Sequence, residues 1–80
     1  MINVTLFTKA GCGLCDEVKI HLDALQPQYP HHLQEIDITQ DDALFQEYRY
    51  IIPVVQIEDK KLQAPISVQQ LQQTLQAIYE

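Results

Sequence analysis

Hydrophobic and polar residues first alternate along the chain and then change to a helical spacing. The segment Ile2 to Phe7 alternates and is rich in β-branched and aromatic residues, which favour a strand. Four apolar residues then recur at intervals of four, four and three: Leu14, Val18, Leu22 and Leu25. We therefore predict a strand, a short loop that contains both glycines, and a helix from Leu14 to Leu25.

The rest of the chain continues to alternate between strand and helix patterns. The predicted elements are a strand over 32–37, a short helix over 43–48, a strand over 51–57, a short strand over 61–63 and a helix from 68. Ser67 and Gln70 form the sequence pattern of a capping box at the start of this last helix. The element order is β-α-β-α-β-β-α. It predicts an α/β fold whose first two strands pair in parallel through a right-handed crossover, and whose last two pair antiparallel. The result is a four-stranded mixed sheet with three helices.

Length, hydropathy and charge limit the classes of function. Eighty residues predict a single domain over 1–80, and no apolar run approaches the roughly 20 residues of a membrane span. The net charge is −6, which argues against a nucleic-acid partner because such binding depends on Lys and Arg. The first residues lack the basic and long apolar regions of a secretory signal, so we expect a cytoplasmic protein.

The chain has only two cysteines, and they form the motif Cys12-Gly13-Leu14-Cys15 between the first strand and the first helix. A bridge between them would close a loop of four residues, which the chain-entropy relation values at only about 2 kcal/mol. Such a local bridge serves chemistry better than stability. A Cys-x-x-Cys pair at a strand-to-helix junction is typical of a centre that cycles between dithiol and disulfide.

The position of the motif predicts different roles for its two thiols. Cys12 precedes the first helical turn, where unpaired N–H groups and the helix dipole stabilise a thiolate, so we predict that Cys12 is the nucleophile. Cys15 lies one turn further and is the predicted resolving thiol. Lys9 either stabilises the thiolate or holds a substrate carboxylate, or else it is a solvated surface lysine. Asp16 and Glu17 suit the first helical turn but repel a nearby thiolate.

Two further residues allow alternative interpretations. Leu14 either lines a contact surface for a substrate thiol or, as the helical spacing favours, is the first core residue of the helix. Pro53 interrupts an apolar segment and is predicted to stand at the start of the third strand, because a proline cannot donate to a strand ladder.

These motifs and their spacing resemble those of glutaredoxins and, more loosely, of the thioredoxin superfamily. The matching segments are the strand Ile2 to Phe7, the residues from Thr8 to Cys15, and the Ile51-Ile52-Pro53-Val54 sequence about forty residues later. The resemblance implies a thioredoxin-like fold, a nucleophilic Cys12 and a resolving Cys15. It also implies that Lys9 contacts a glutathione carboxylate, that Pro53 is cis beside the cysteines, and that Ile52 offers its backbone N–H and C=O to a substrate.

The chain departs from the glutaredoxin pattern at three places. Gly13-Leu14 stands where glutaredoxins usually have Pro-Tyr, Gln63-Ala64 where they have Gly-Gly, and Ile66-Ser67 where they have Thr-Asp. The last two positions bind glutathione in the family. The fold and the redox chemistry therefore transfer to this chain better than glutathione specificity does.

Three functions remain open on this basis. The favoured one is a thiol–disulfide oxidoreductase of cell redox homeostasis that acts on protein or glutathione mixed disulfides. We expect a monomer without a bound cofactor, with glutathione as co-substrate or a thioredoxin-type reductase as partner. The alternatives are a thioredoxin-fold binding module without turnover, and a zinc or iron–sulfur site completed by a second copy, since one Cys-x-x-Cys supplies only two of four ligands. The histidines, His21, His31 and His32, are predicted to be surface residues rather than ligands.

Overall fold

The computed structural model describes all 80 residues and contains the seven predicted elements in the predicted order, with a short 3-10 helix in addition. The elements are β1 (Ile2–Thr8), α1 (Gly13–Leu25), β2 (His31–Asp37), a short 3-10 helix (Ile38–Gln40), α2 (Asp42–Tyr48), β3 (Val54–Ile57), β4 (Lys60–Gln63) and α3 (Val68–Tyr79). The predicted α/β fold is therefore confirmed. No helix combines the length and the apolar character that a bilayer span requires.

The four strands form one mixed sheet in the order β2-β1-β3-β4. β1 and β2 are parallel and β3 and β4 are antiparallel, as predicted. β3 is also antiparallel to β1. Phe7 pairs with Val54 in the register of β1 and β3. This register places the loop after β1, which carries the cysteines, next to the residues that precede β3.

The two faces of the sheet bury cores of unequal size. The large face packs against α1 and α3 and buries ten hydrophobic residues: Ile2, Val4, Leu6, Val18, Leu22, Leu25, Val55, Ile57, Leu71 and Leu75. The small face packs against α2 and the 3-10 helix and buries four: Phe7, Ile38, Tyr48 and Val54. The alternation of β1 explains this division, because successive side chains of a strand point to opposite faces.

The third strand is shorter than its apolar sequence predicts. β3 begins at Val54, because the N–H groups of Ile51 and Ile52 both donate to the carbonyl of Tyr48, over 3.0 and 3.1 Å. These bonds close a turn after α2 and leave residues 51–53 outside the sheet. Pro53 directly precedes the strand, in agreement with its predicted position.

The caps of two helices form as the sequence indicates. The Ser67 hydroxyl accepts from the Gln70 N–H (3.1 Å), and the Gln70 side-chain carbonyl accepts from the Ser67 N–H (2.8 Å). This reciprocal capping box begins α3. The Asp41 carboxylate accepts from the Leu44 N–H (3.1 Å) and begins α2.

Candidate active site

The cysteine motif lies at the carboxyl end of β1, where the chain enters α1. Cys12 is the N-cap of α1 in an extended conformation, with φ −94° and ψ 101°, and its sulfur accepts the Cys15 N–H over 3.2 Å. The two sulfurs are at bonding distance, with Cα atoms 5.2 Å apart. Gly11 makes the preceding turn at φ +78°, in the left-handed region that favours glycine. The geometry of the loop thus brings the two cysteines together as a disulfide.

The two cysteines differ sharply in their exposure. Cys15 is only 1% exposed and belongs to the buried side of α1, whereas Cys12 is half-buried at the end of the helix. The side chain of Cys12 also lies where the helix dipole is positive. Of the two sulfurs, that of Cys12 is therefore the more accessible from solvent.

The charged residues around the motif remain on the surface. Lys9 is exposed in the loop between β1 and Cys12 and forms no ion pair. Asp16 in the first turn of α1 and Glu17 directly after it are both exposed. The structure therefore brings one free cation and two carboxylates into the same short stretch as the cysteines.

The loop before β3 forms the second part of the site. Pro53 is buried, and the peptide bond between Ile52 and Pro53 is cis, as the resemblance implies. Ile52 differs from its expected geometry, since its N–H already donates to Tyr48. Only the carbonyl of Ile52 is without an internal hydrogen bond and thus available to a substrate backbone.

Leu14 corrects one of the sequence-based interpretations. The prediction that it is a core residue of α1 is wrong, because its side chain is 58% exposed. Cys15 occupies the buried position instead, and Leu14 turns outward beside it. Gly13, also exposed, has open space where a Cβ would stand, so packing does not require a glycine there.

A narrow groove of about 80 Å³ lies beside the motif. Leu14, Glu17 and Val18 of α1 form one wall, and Pro53 and residues 64–66 form the other. The sequence interpretation did not assign a site role to Glu17 or to residues 65–66. The sequence signal that could have indicated this wall is Pro65, which follows the last strand. In the structure, the peptide bond between Ala64 and Pro65 is also cis. A larger cavity of about 550 Å³ lies at the other end of the sheet, between β4 and α3, where it cannot serve the cysteines.

The histidines and acids do not assemble into a metal site around the cysteines. No group of three or more His, Cys, Asp or Glu side chains is placed to hold a metal ion. His31 corrects its prediction as a surface residue: it is 4% exposed, and its Nδ1 lies 2.7 Å from the carbonyl of Tyr29. A metal at Cys12 and Cys15 would therefore need ligands from another molecule.

A mixed four-stranded sheet with three helices and a Cys-x-x-Cys pair at the start of the first helix is the arrangement of the thioredoxin fold, and the pair supports a redox role. Residues 3–76 match the family described as glutaredoxin-like domain (DUF836), and the chain belongs to this family. The match covers the cysteine motif, the Pro53 loop and most of α3.

Solved structures with the same fold support this assignment. The X. campestris protein XcR50 is 27% identical, with a TM-score of 0.75 over 92% of this chain and 96% of that one. Protein Ne2328 from Nitrosomonas europaea is 25% identical, with a TM-score of 0.76 over 91% and 89% of the two chains. Thioredoxin O2 from Arabidopsis thaliana, in its oxidized state, has a TM-score of 0.80 over 100% of this chain and 76% of that one. At 20% identity, this last similarity concerns the fold alone.

Proposed function

We propose that the protein is a thiol–disulfide oxidoreductase in which Cys12 attacks the substrate and Cys15 resolves the intermediate. The observation that carries this proposal is the unequal exposure of two bonded cysteines at a helix N-terminus. A half-buried sulfur at the positive end of the helix suits attack by a thiolate, and a buried neighbour one turn away suits intramolecular resolution. Membership of the glutaredoxin-like family supports a redox role.

The cycle follows from this arrangement. In the dithiol form, the Cys12 thiolate attacks one sulfur of a substrate disulfide, forms a mixed disulfide and releases the first substrate thiolate. The Cys15 thiolate then attacks the Cys12 sulfur, forms the internal disulfide and releases the second substrate thiolate. The leaving thiolates take up the protons that the two cysteines lost. Two electrons pass to the substrate, and an external thiol or a dithiol reductase returns them to the protein.

The surroundings of the motif support further parts of the proposal. Lys9, Gly13 and Leu14 are exposed beside the cysteines, and the Pro53 loop presents the Ile52 carbonyl, so these residues would contact the substrate. The substrate is a protein disulfide or a glutathione mixed disulfide, and the reducing partner is glutathione or a thioredoxin-type reductase. We further propose a monomeric, single-domain cytoplasmic protein that contributes to cell redox homeostasis.

Single-cysteine variants test the assignment of the two thiols. The Cys12→Ser variant is expected to lose reduction of a disulfide-linked peptide, whereas Cys15→Ser should stop after the first step. Mass spectrometry should then detect a stable peptide adduct on Cys12 of the Cys15→Ser variant. A stable adduct on Cys15 of the Cys12→Ser variant, with none on Cys12 of the Cys15→Ser variant, would reverse the roles.

A redox titration separates this function from that of a binding module. Alkylation after equilibration in redox buffers should show a reversible Cys12–Cys15 couple, with a reduction potential between about −270 and −180 mV, the range of related folds. A pair that stays reduced, or oxidises only irreversibly, would contradict the oxidoreductase.

A further inference from the structure

The groove beside the cysteine motif combines an apolar lining with a single charged side chain. Leu14 and Val18 on α1 face Pro53 and residues 64–66, and Glu17 is the only charged residue among them. Its volume of about 80 Å³ is well below the roughly 300–1,000 Å³ of typical small-molecule pockets. The groove therefore accommodates one side chain of a larger partner rather than a whole small ligand.

The Glu17 carboxylate is available to such a partner. The one ion pair in the structure joins Lys19 to Glu35 over 3.3 Å. The Glu17 side chain forms neither an ion pair nor a hydrogen bond. Lys9 also remains unpaired. Glu17 thus places an uncompensated negative charge at the rim of an apolar groove.

The opposite wall of the groove has few hydrogen-bond donors left for an anion. The Ala64 N–H donates to the Ile51 carbonyl over 3.2 Å, and Pro65 has no N–H. At the start of α3, the N–H groups of Ser67 and Gln70 are both engaged in the capping box. Among residues 64–66, only the Ile66 N–H is left without an internal partner, so a ligand carboxylate would meet the Glu17 charge with little compensation from this wall.

We propose that this groove binds a lysine or arginine side chain of a polypeptide substrate, close to the disulfide that is reduced. The inference rests on the proposed oxidoreductase function and names its substrate class. The aliphatic part of the basic side chain packs on Leu14, Val18 and Pro53, and its charged end pairs with Glu17. The net charge of −6 further favours the approach of a basic segment. Basic protein disulfides are therefore better substrates than glutathione disulfide, which carries carboxylates.

A matched pair of peptide substrates tests this preference. Two disulfide-linked peptides, identical except for Lys or Glu two positions from the cysteine, are reduced by the dithiol form of the full chain. An exposed ion pair of about 0.2–1 kcal/mol corresponds to a rate preference of roughly 1.4- to 5-fold for the Lys peptide. Glutathione disulfide should react more slowly than the Lys peptide.

Two variants that lose the same charge separate Glu17 from the general charge of the protein. Glu17→Gln should bring the ratio of the two peptide rates close to one, and Glu17→Lys should invert it. Asp16→Asn changes the net charge equally but removes an acid that does not line the groove, so the ratio should remain that of the wild type.

The outcomes distinguish this inference from the function on which it rests. Equal rates for the two peptides, a ratio that Glu17→Gln leaves unchanged, or faster reduction of glutathione disulfide would each overturn the groove assignment alone. A dithiol protein that reduces none of the three substrates would contradict the oxidoreductase itself.

Discussion

The large and the small face of the sheet differ in what they contribute to the molecule. Ten buried residues on the large face tie α1, and with it Cys15, to the sheet. Four on the small face hold the seven-residue helix α2, whose last carbonyls fix the turn that leads to Pro53. The difference teaches that the two halves of the site, the cysteine motif and the Pro53 loop, are held in place by separate cores. The cysteine half rests on the main core, whereas the proline half rests on a short helix with little buried area.

The largest effect is expected from equal leucine truncations on the two faces. Leu22 is fully buried between α1 and the sheet, so Leu22→Ala should lower the free energy of unfolding by about 2–5 kcal/mol. That is a large part of the roughly 4–12 kcal/mol expected for a chain of this size. The matched variant Leu44→Ala removes a half-buried side chain from α2 and should cost only about 1 kcal/mol. Urea unfolding measures both, and equal losses would contradict the unequal roles of the faces.

Removal of the helix caps should cost less stability than the leucine truncations, and it compares α3 on the large face with α2 on the small face. Ser67→Ala removes the capping box of α3 and Asp41→Ala the cap of α2, each at a cost of about 1 kcal/mol. The consequences should differ, because a seven-residue helix is marginal without its tertiary contacts. Hydrogen exchange should show local opening of α2 in Asp41→Ala, and a more even loss of protection in Ser67→Ala. The reverse pattern would place the weaker support on the large face.

The smallest effect is expected in the free energy of unfolding at low pH, and it concerns Asp37, next to the small face. Hydrogen bonds from the Thr39 hydroxyl and then from its backbone N–H lower the pKa of Asp37 below its ordinary value of 3.8. A lowered pKa in the folded state stabilises the protein above the unfolded-state pKa, and this contribution is lost as the pH falls through the folded-state value.

The variant Asp37→Ala should therefore be less stable than the wild type at neutral pH, and the difference should shrink below pH 3.8. Asp23→Ala is the control for the loss of one acidic side chain, since the Asp23 carboxylate accepts no hydrogen bond. Urea unfolding across this pH range measures both. A difference for Asp37→Ala that persists below its pKa would show that the Thr39 bonds do not favour the carboxylate.

The fold could be predicted from the sequence where one periodicity dominates a segment. The alternation from Ile2 and the helical spacing from Leu14 to Leu25 each match their elements closely. The prediction fails at residues 51–53, since apolar side chains there satisfied the strand pattern while their N–H groups bonded back to Tyr48. Side-chain patterns do not reveal such backbone bonds, which depend on where α2 ends.

The site was predictable in part for a similar reason. The Cys-x-x-Cys spacing and its position before a helix indicate that Cys12 and Cys15 meet, and the structure places them at bonding distance. The groove was not foreseen, because its walls come from segments about fifty residues apart. Leu14 shows the limit of the helical spacing. The spacing indicates on which side of α1 a residue lies, but it does not indicate whether another part of the chain covers that residue.

β4, one of the two edge strands of the sheet, has a consequence for how folded molecules meet. Its four residues begin with two exposed lysines, and adjacent residues of a strand point to opposite sides. A strand from another molecule that added to this edge would bring its own side chains next to a cation on either side. Short, charged edges of this kind discourage open-ended sheet growth. Lys60 and Lys61 therefore disfavour edge-to-edge pairing at β4, in a protein whose net charge is negative.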